Sequence, residues 1–318
     1  MHLLIPYATC LSEPCLAAQP TLKLPHLEQL LKKLGPLDAT GGDEFSLSPP
    51  HERALARALG LPAIDGQIAW AALQARQQLA SATVDTAGTA WAFVTLCHWQ
   101  VNTHHVAMSQ LPLPGLSMEA SAGLMAAMRL YFAEDGITLH ADQPGRWLAQ
   151  GEIFANLATA STDRVVGRNL EPWMPNTQQA APLRRLQNEM QMLLYTHPVN
   201  DDRAQRGLPP VNSLWFSGTG ALPAGYQTPS AQSQPGVIDA LQQAALSDNW
   251  PAWTQAWQDI DATHIKSLLQ RVGQGQPVQL TLCGERGSKS WHSYKATVWQ
   301  KILSHLASKP LYSLLEAL

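Results

Sequence analysis

The residues best equipped for chemistry gather in one stretch, Tyr195 to Gly220, which reads YTHPVNDDRAQRGLPPVNSLWFSGTG. It holds His197, Asn200, Arg203, Arg206 and Asn212, which together form the candidate ligand-binding set. A guanidinium is a planar fork of donors that matches a phosphate or carboxylate bidentately, so the two arginines suit an anion. The same segment has a second use. His and Asn side chains also bond to nearby backbone and tie loops down. Both uses stand open at this level. Arg164 and Arg168, in TDRVVGRN, form another arginine pair, read here as solvated surface charge.

Other reactive types are present in less suitable arrangements. Cys97, His98, His104 and His105 are soft and imidazole donors, but the spacing C-H-x5-H-H fits no structural zinc pattern. They read as a buried thiol and loop histidines, and no metal site is predicted. His51 with Ser46 or Ser48 has the types of a base and a nucleophile, yet no Asp is placed to orient the imidazole, and Ser48 reads as a helix cap. Gly284 to Ser290 follows a strand, but Ser288 stands where a phosphate loop needs glycine before Lys289. An ordinary turn is expected there.

These groups need elements to hold them. His2 to Pro6 reads as a short buried strand, and Pro25 opens a helix with Leu27, Leu30, Leu31 and Leu34 on one face. Leu37 to Glu44 reads as loop, and His51 to Leu59 as a helix closed by Gly60. Leu61 to Ala87 reads as helix and linker. Thr89 to Cys97 is a predicted strand, Ser117 to Phe132 a capped helix, and ITLH with RWLA a hairpin. Leu183 to Tyr195 is a strongly amphipathic helix, followed by a polar loop through Pro210. Val211 to Phe216 reads as a strand ended by Ser217-Gly218-Thr219-Gly220. Trp250, Trp253, Trp257, Ile260 and Leu268 recur at helical spacing and read as core. Val278 to Cys283 is a strand, and Ala296 to Leu306 a final helix.

Composition bounds the class. Of 318 residues, 45% are hydrophobic and 14% charged, which is a globular balance with room for two modest domains. A formal net charge of -3 provides no basic field for nucleic acid or anionic lipid. The opening MHLLIPYATC lacks a basic leader region, and no stretch approaches a membrane span, so the expected compartment is the cytoplasm. Cys10, Cys15, Cys97 and Cys283 make no C-x-x-C pair and are expected as reduced thiols.

The Tyr195 to Gly220 segment resembles the HPVN…R…G…P-A-N-x-x-hydrophobic-x-G-x-G stretch of the archaeal-type cofactor-independent phosphoglycerate mutases, members of the alkaline-phosphatase-like superfamily. LATASTDRVVGRNLEPWMP and LRRLQNEMQMLLYTHPVN are similar to that family's approach to the motif, and LPHLEQLLKKLG to its first helix. MHLLIPYA, DEFSLSPPHERALARALG and NEMQMLLYTHPVND resemble a group of bacterial regulatory proteins of the RpfE type. The resemblance implies an α/β fold: a reduced alkaline-phosphatase-like core, residues 1–75 and 200–318, with a small α+β domain, residues 76–199, inserted. It also implies a mostly parallel core sheet fed by the strands at His2, Val211 and Val278.

The enzymes of that family use two Mn or Mg ions and a nucleophilic serine. Here the matching places differ. The first strand ends in Leu4-Ile5-Pro6-Tyr7-Ala8, where the family has Asp-Gly. His51 stands where the serine would be and Glu52 where the aspartate would be, which makes these two the candidate catalytic residues, with Asp43 a further member of an altered site. The late strand runs into Gly284-Glu285-Arg286-Gly287 in place of Asp-His. Three functions compete. One is a catalytically degenerate, regulatory protein without a cofactor that binds a phosphorylated small molecule or a protein partner. Another is an active mutase or phosphomonoester hydrolase with an altered site and Mn or Mg. The third is a structural interaction protein.

Overall fold

The computed structural model describes residues 1–79, 88–103, 105–293, 311–316 and 318. The expected Ala296 to Leu306 helix, the end of the Leu61 to Ala87 stretch and His104 lie outside the described residues.

In chain order the strands are β1 (His2–Ile5), β2 (Leu34–Thr40), β3 (Ala90–Cys97), β4 (Trp99–Val101), β5 (Val106–Met108), β6 (Thr138–Gln143), β7 (Arg146–Gln150), β8 (Ser213–Ala221), β9 (Gly236–Val237), β10 (Gln279–Cys283) and β11 (Ser288–Ser293). The α-helices are α1 (Glu13–Ala18), α2 (Pro25–Leu31), α3 (Pro50–Ala58), α4 (Trp70–Gln78), α5 (Met118–Glu134), α6 (Thr162–Val165), α7 (Ala181–Tyr195), α8 (Pro198–Gln205), α9 (Ala240–Leu246), α10 (Trp250–Ile260), α11 (Lys266–Gly273) and α12 (Leu311–Glu316). The chain is a mixed α/β protein of two compact units. One comprises Met1–Glu44, Pro49–Gly60 and Thr228–Leu318, the other Phe45–Ser48 and Leu61–Gln227.

The first unit carries a five-stranded sheet in the order β2-β11-β10-β1-β9. β1 runs parallel to β9 and β10, but β11 is antiparallel to both β10 and β2. The sheet is therefore mixed, not mostly parallel. The reason is local: the Gly284 to Gly287 turn is too short for a crossover, so it can only join antiparallel strands. β1 and β10 are buried almost throughout, as strands covered on both faces must be. Much of the expected loop at Leu37 to Glu44 is strand β2 instead. As an edge strand it has no need of an apolar pattern, and Pro36 is accommodated next to the irregularity at Ser290/Trp291. Trp253 and Trp257 are fully buried against Leu27, Leu30, Leu280 and Leu282. Each contributes about 4 kcal/mol of apolar burial.

The second unit is built on an antiparallel sheet, β6-β7-β3-β8. The strand expected at Val211 in the core sheet is β8, and it pairs here, antiparallel to β3. Residues 200–227 thus belong to this unit. β8 also continues through Ser217-Gly218-Thr219-Gly220, where it was expected to stop. Gly218 adopts φ 63° beside a register shift opposite Trp91/Phe93, so the strand bulges without ending. A Cβ on Gly218 would stand 2.9 Å from Phe93. Ser117 caps α5 by accepting from the Ala120 N–H, and Leu124, Met128 and Phe132 of that helix are buried. No helix among the described residues is long and apolar enough to cross a membrane.

Candidate functional site

The polar stretch after α7 is a helix, α8, where a loop was expected. His197 is its N-cap, accepting from the Val199 N–H at 3.2 Å through Nδ1, and Pro198 occupies the first turn. Gly207 follows the helix at φ 65°. The signal that identifies this helix in the sequence is the cap, the proline and the glycine, not periodicity, because its one buried residue is Arg203.

Most of the motif is consumed in holding this region together. Asn200 donates to the carbonyls of Leu194 and Val211, each at 2.8 Å, and its Oδ1 accepts from the Val211 N–H at 2.8 Å. Asn212 accepts from the Trp99 N–H at 2.7 Å and donates to the Trp99 carbonyl at 2.8 Å. Thr219, fully buried, lies 2.5 Å from the Leu157 carbonyl and 3.1 Å from the Thr159 hydroxyl. His197, Asn200 and Asn212 therefore act as backbone latches in this fold.

The two arginines are left. Arg203 is 1% exposed. Its Nε donates to the Pro209 carbonyl at 2.7 Å and its Nη2 to the Pro114 carbonyl at 3.0 Å. Its Nη1 is buried with no partner among the described residues. Arg206 is half-exposed, and its Nη1 lies 3.4 Å from Asp202. Its Nη2 lies against the backbone of Gly115, where an added Cβ would be 3.0 Å away. The two guanidiniums sense each other. Burial lowers the proton affinity of Arg203, Arg206 lowers it further, and Asp202 opposes both. The His98 imidazole falls in the same field: burial pushes its pKa down, with Arg203 adding to that effect against the Pro210 carbonyl.

Pro114 and Pro209, the two residues whose carbonyls hold Arg203, also line an open cleft of about 520 Å³. Gln100, Asn102, His105, Ser109 and Gln110 give it a polar wall. Arg203 and Arg206 thus lie close together, Arg203 bound to two prolines that line this polar cleft and Arg206 to Asp202. Arg164, expected at the surface, is 3% exposed, its guanidinium 5.9 Å from the Trp173 ring. Arg168 is exposed. Cys97 is fully buried, and burial pushes its thiol far up.

His51 and Glu52 sit in the first turn of α3 in the other unit. His51 is 9% exposed, with its ring 5.5 Å from that of Tyr7. Ser48 does not cap this helix. Its hydroxyl accepts from the Gly66 N–H at 2.8 Å, and Pro49 takes the cap position. Glu285 Oε2 is bound to the Leu11 N–H, and the guanidinium of Arg53 fills the space left by Gly42. Among the described residues no three His, Cys, Asp or Glu side chains converge as metal ligands. Gly284 to Gly287 is the expected turn, closed by the Gly284 N–H on the Gly287 carbonyl at 2.9 Å.

No family model and no curated protein matches the chain. Among solved structures it is similar to a cofactor-independent phosphoglycerate mutase from Thermoplasma acidophilum DSM 1728, at 15% identity over 100% of this chain and 98% of that one, with a TM-score of 0.37. It is also similar to the PH0037 protein from Pyrococcus horikoshii, at 14% identity over 92% of this chain and 87% of that one, with a TM-score of 0.45. Likeness at this level says nothing about residues or reactions.

Proposed function

We propose that this is a phosphoglycerate-mutase-like protein that does not turn substrate over and instead binds a phosphorylated small molecule as a regulator. The resemblance of Tyr195 to Gly220 supports the lineage. The observation that carries the binding is Arg203. A buried guanidinium whose Nη1 has no partner among the described residues, next to a second guanidinium and a neutral-leaning imidazole, is a costly arrangement. A dianionic phosphate relieves it. Arg206, half-exposed beside Gly115, makes the direct contact, and Arg203 supplies a field that burial keeps from being screened. The polar wall from Gln100 to Gln110 suits the hydroxyl and carboxylate groups of a small phosphorylated metabolite.

Thermal unfolding with and without millimolar 3-phosphoglycerate, each with and without Mn²⁺, tests this. A ligand at about 100 times its Kd adds about 2.7 kcal/mol, easily seen as a shift in Tm. The expected result is a shift that needs no metal and disappears in Arg206→Ala. A shift that requires Mn²⁺ would favour the enzyme reading built on His51 and Glu52. No shift with any phosphorylated three-carbon acid would sink the proposal and favour a protein partner.

A further inference from the structure

The face of the first sheet on which α3 packs is polar where burial predicts otherwise. Strands covered on both faces read as near-continuous apolar runs. Here the strand registers place Thr281 of β10, Ser290 of β11 and Asp38 of β2 side by side in one row across the sheet. Ser288 and Thr40 pair in the next row, their hydroxyls 2.7 Å apart. Thr281 and Ser288 are buried, and α3 faces them with Ala54 and Ala58, one turn apart. Alanines above short hydroxyl side chains leave a cavity of about 210 Å³ that lies wholly within the first unit.

The hydroxyls connect to a neutral imidazole. His2 Nε2 lies 2.9 Å from Thr281 Oγ1, which lies 2.9 Å from Ser290 Oγ. Burial, and to a smaller extent the terminal amine, lower the His2 pKa to about 4, so the ring adds no charge to the cavity. A hydroxyl has one proton to give and two lone pairs to receive. If His2 donates, the Thr281 proton points to Ser290, and the Ser290 proton is left for the cavity. If His2 accepts, the Ser290 proton points to Thr281, and the lone pairs of Ser290 are left. The row can therefore meet either a donor or an acceptor.

The charged groups are at the edge of the same cavity. Arg57 Nη1 and Asp38 Oδ2 are 3.9 Å apart, both about half-exposed. That separation is beyond a hydrogen bond, so neither group saturates the other. One cation, one carboxylate and a neutral polar row match a ligand that carries both charges and no net charge. An α-amino acid holds its ammonium and carboxylate on a single carbon, close enough to meet so close a pair. The volume is room for about seven waters at about 30 Å³ each, which limits the ligand to a small one. No Phe, Tyr or Trp among the described residues lines the cavity, so it offers no platform for stacking a nucleobase.

We propose that this cavity binds a small zwitterionic α-amino acid with a hydroxyl or amide side chain. Arg57 takes its carboxylate, Asp38 its ammonium group and Ser290 its side chain. Isothermal titration calorimetry of the 318-residue chain tests this with L-serine and L-asparagine. Ethanolamine and 3-hydroxypropanoate, each lacking one of the charges, and glycerol, lacking both, are run beside them. The expected outcome is binding of one molecule of serine or asparagine per chain, with every analogue weaker by at least about tenfold, as the loss of a charge-assisted hydrogen bond requires. Arg57→Met and Asp38→Asn should weaken the amino acid by a similar factor, and Arg206→Ala should leave it unchanged, which separates this site from the phosphate site. The proposal is overturned by no binding of either amino acid, by an analogue that binds as tightly, or by binding that survives Arg57→Met or is lost in Arg206→Ala. The analogue series uses the unaltered protein, so it decides even where a variant does not fold.

Discussion

In the first unit the buried acid Asp261, 3% exposed, has a full set of partners. Its carboxylate accepts from the backbone N–H groups of His26 and Leu27 at 3.2 and 2.7 Å and sits 2.9 Å from His26 Nδ1, closing the start of α2. The same unit keeps the half-buried His2 neutral, since burial and, to a smaller extent, the terminal amine lower its pKa to about 4. In the second unit Arg203 is as deeply buried, cannot neutralise itself, and has an arginine for a neighbour. Two units of one chain thus treat buried charge oppositely. A charge that only builds structure is paired at the site by the chain itself. Arg203 is left short of one partner among the described residues, which the proposed function assigns to a ligand.

This contrast can be broken by mutation. Asp261→Ala removes a carboxylate that caps a helix and leaves buried N–H groups unpaired, so it should cost about 3 kcal/mol in urea unfolding. Acid should act on His2 next. Its unfolded form takes a proton near pH 6.5 and its folded form only near 4. Stability from this group is therefore whole above 6.5 and is lost as pH falls towards 4, up to about 3 kcal/mol, with less where solvent reaches the ring. His2→Gln should flatten that part of the pH profile. The smallest effect belongs to Arg203→Met. Losing two carbonyl hydrogen bonds is offset by removing a desolvated cation, so stability should change by less than about 1 kcal/mol while phosphate binding is lost. A cost as large as that of Asp261→Ala would make Arg203 a structural strut and end the contrast.

Much of the frame could be read in advance. α5 with its Ser117 cap, the β6–β7 hairpin, α7 and the tryptophan-bearing α10 all announce themselves by periodicity or caps that span a few neighbouring residues. Strand β2, helix α8 and the bulged end of β8 did not, because each departs from the pattern of its class. β2 is a polar edge, α8 buries an arginine, and β8 runs through glycines that usually end strands. Within the candidate site the residue types were legible, but their division of labour was not. His197 and Asn200 turned out to bond backbone within a few turns of the chain, and Asn212 that of Trp99, far away in sequence.

The sequence by itself determined where charge, thiols and large apolar side chains stand along the chain, because composition and short-range periodicity are properties of neighbours. Only the tertiary structure decided which sheet β8 joins, that the first sheet is mixed, that Arg203 is buried with one donor unpaired among the described residues, and that Cys97 and Cys283 are fully buried. Burial and partnership depend on residues distant in the chain, and it is desolvation that makes an arginine short of partners costly and holds a buried thiol protonated.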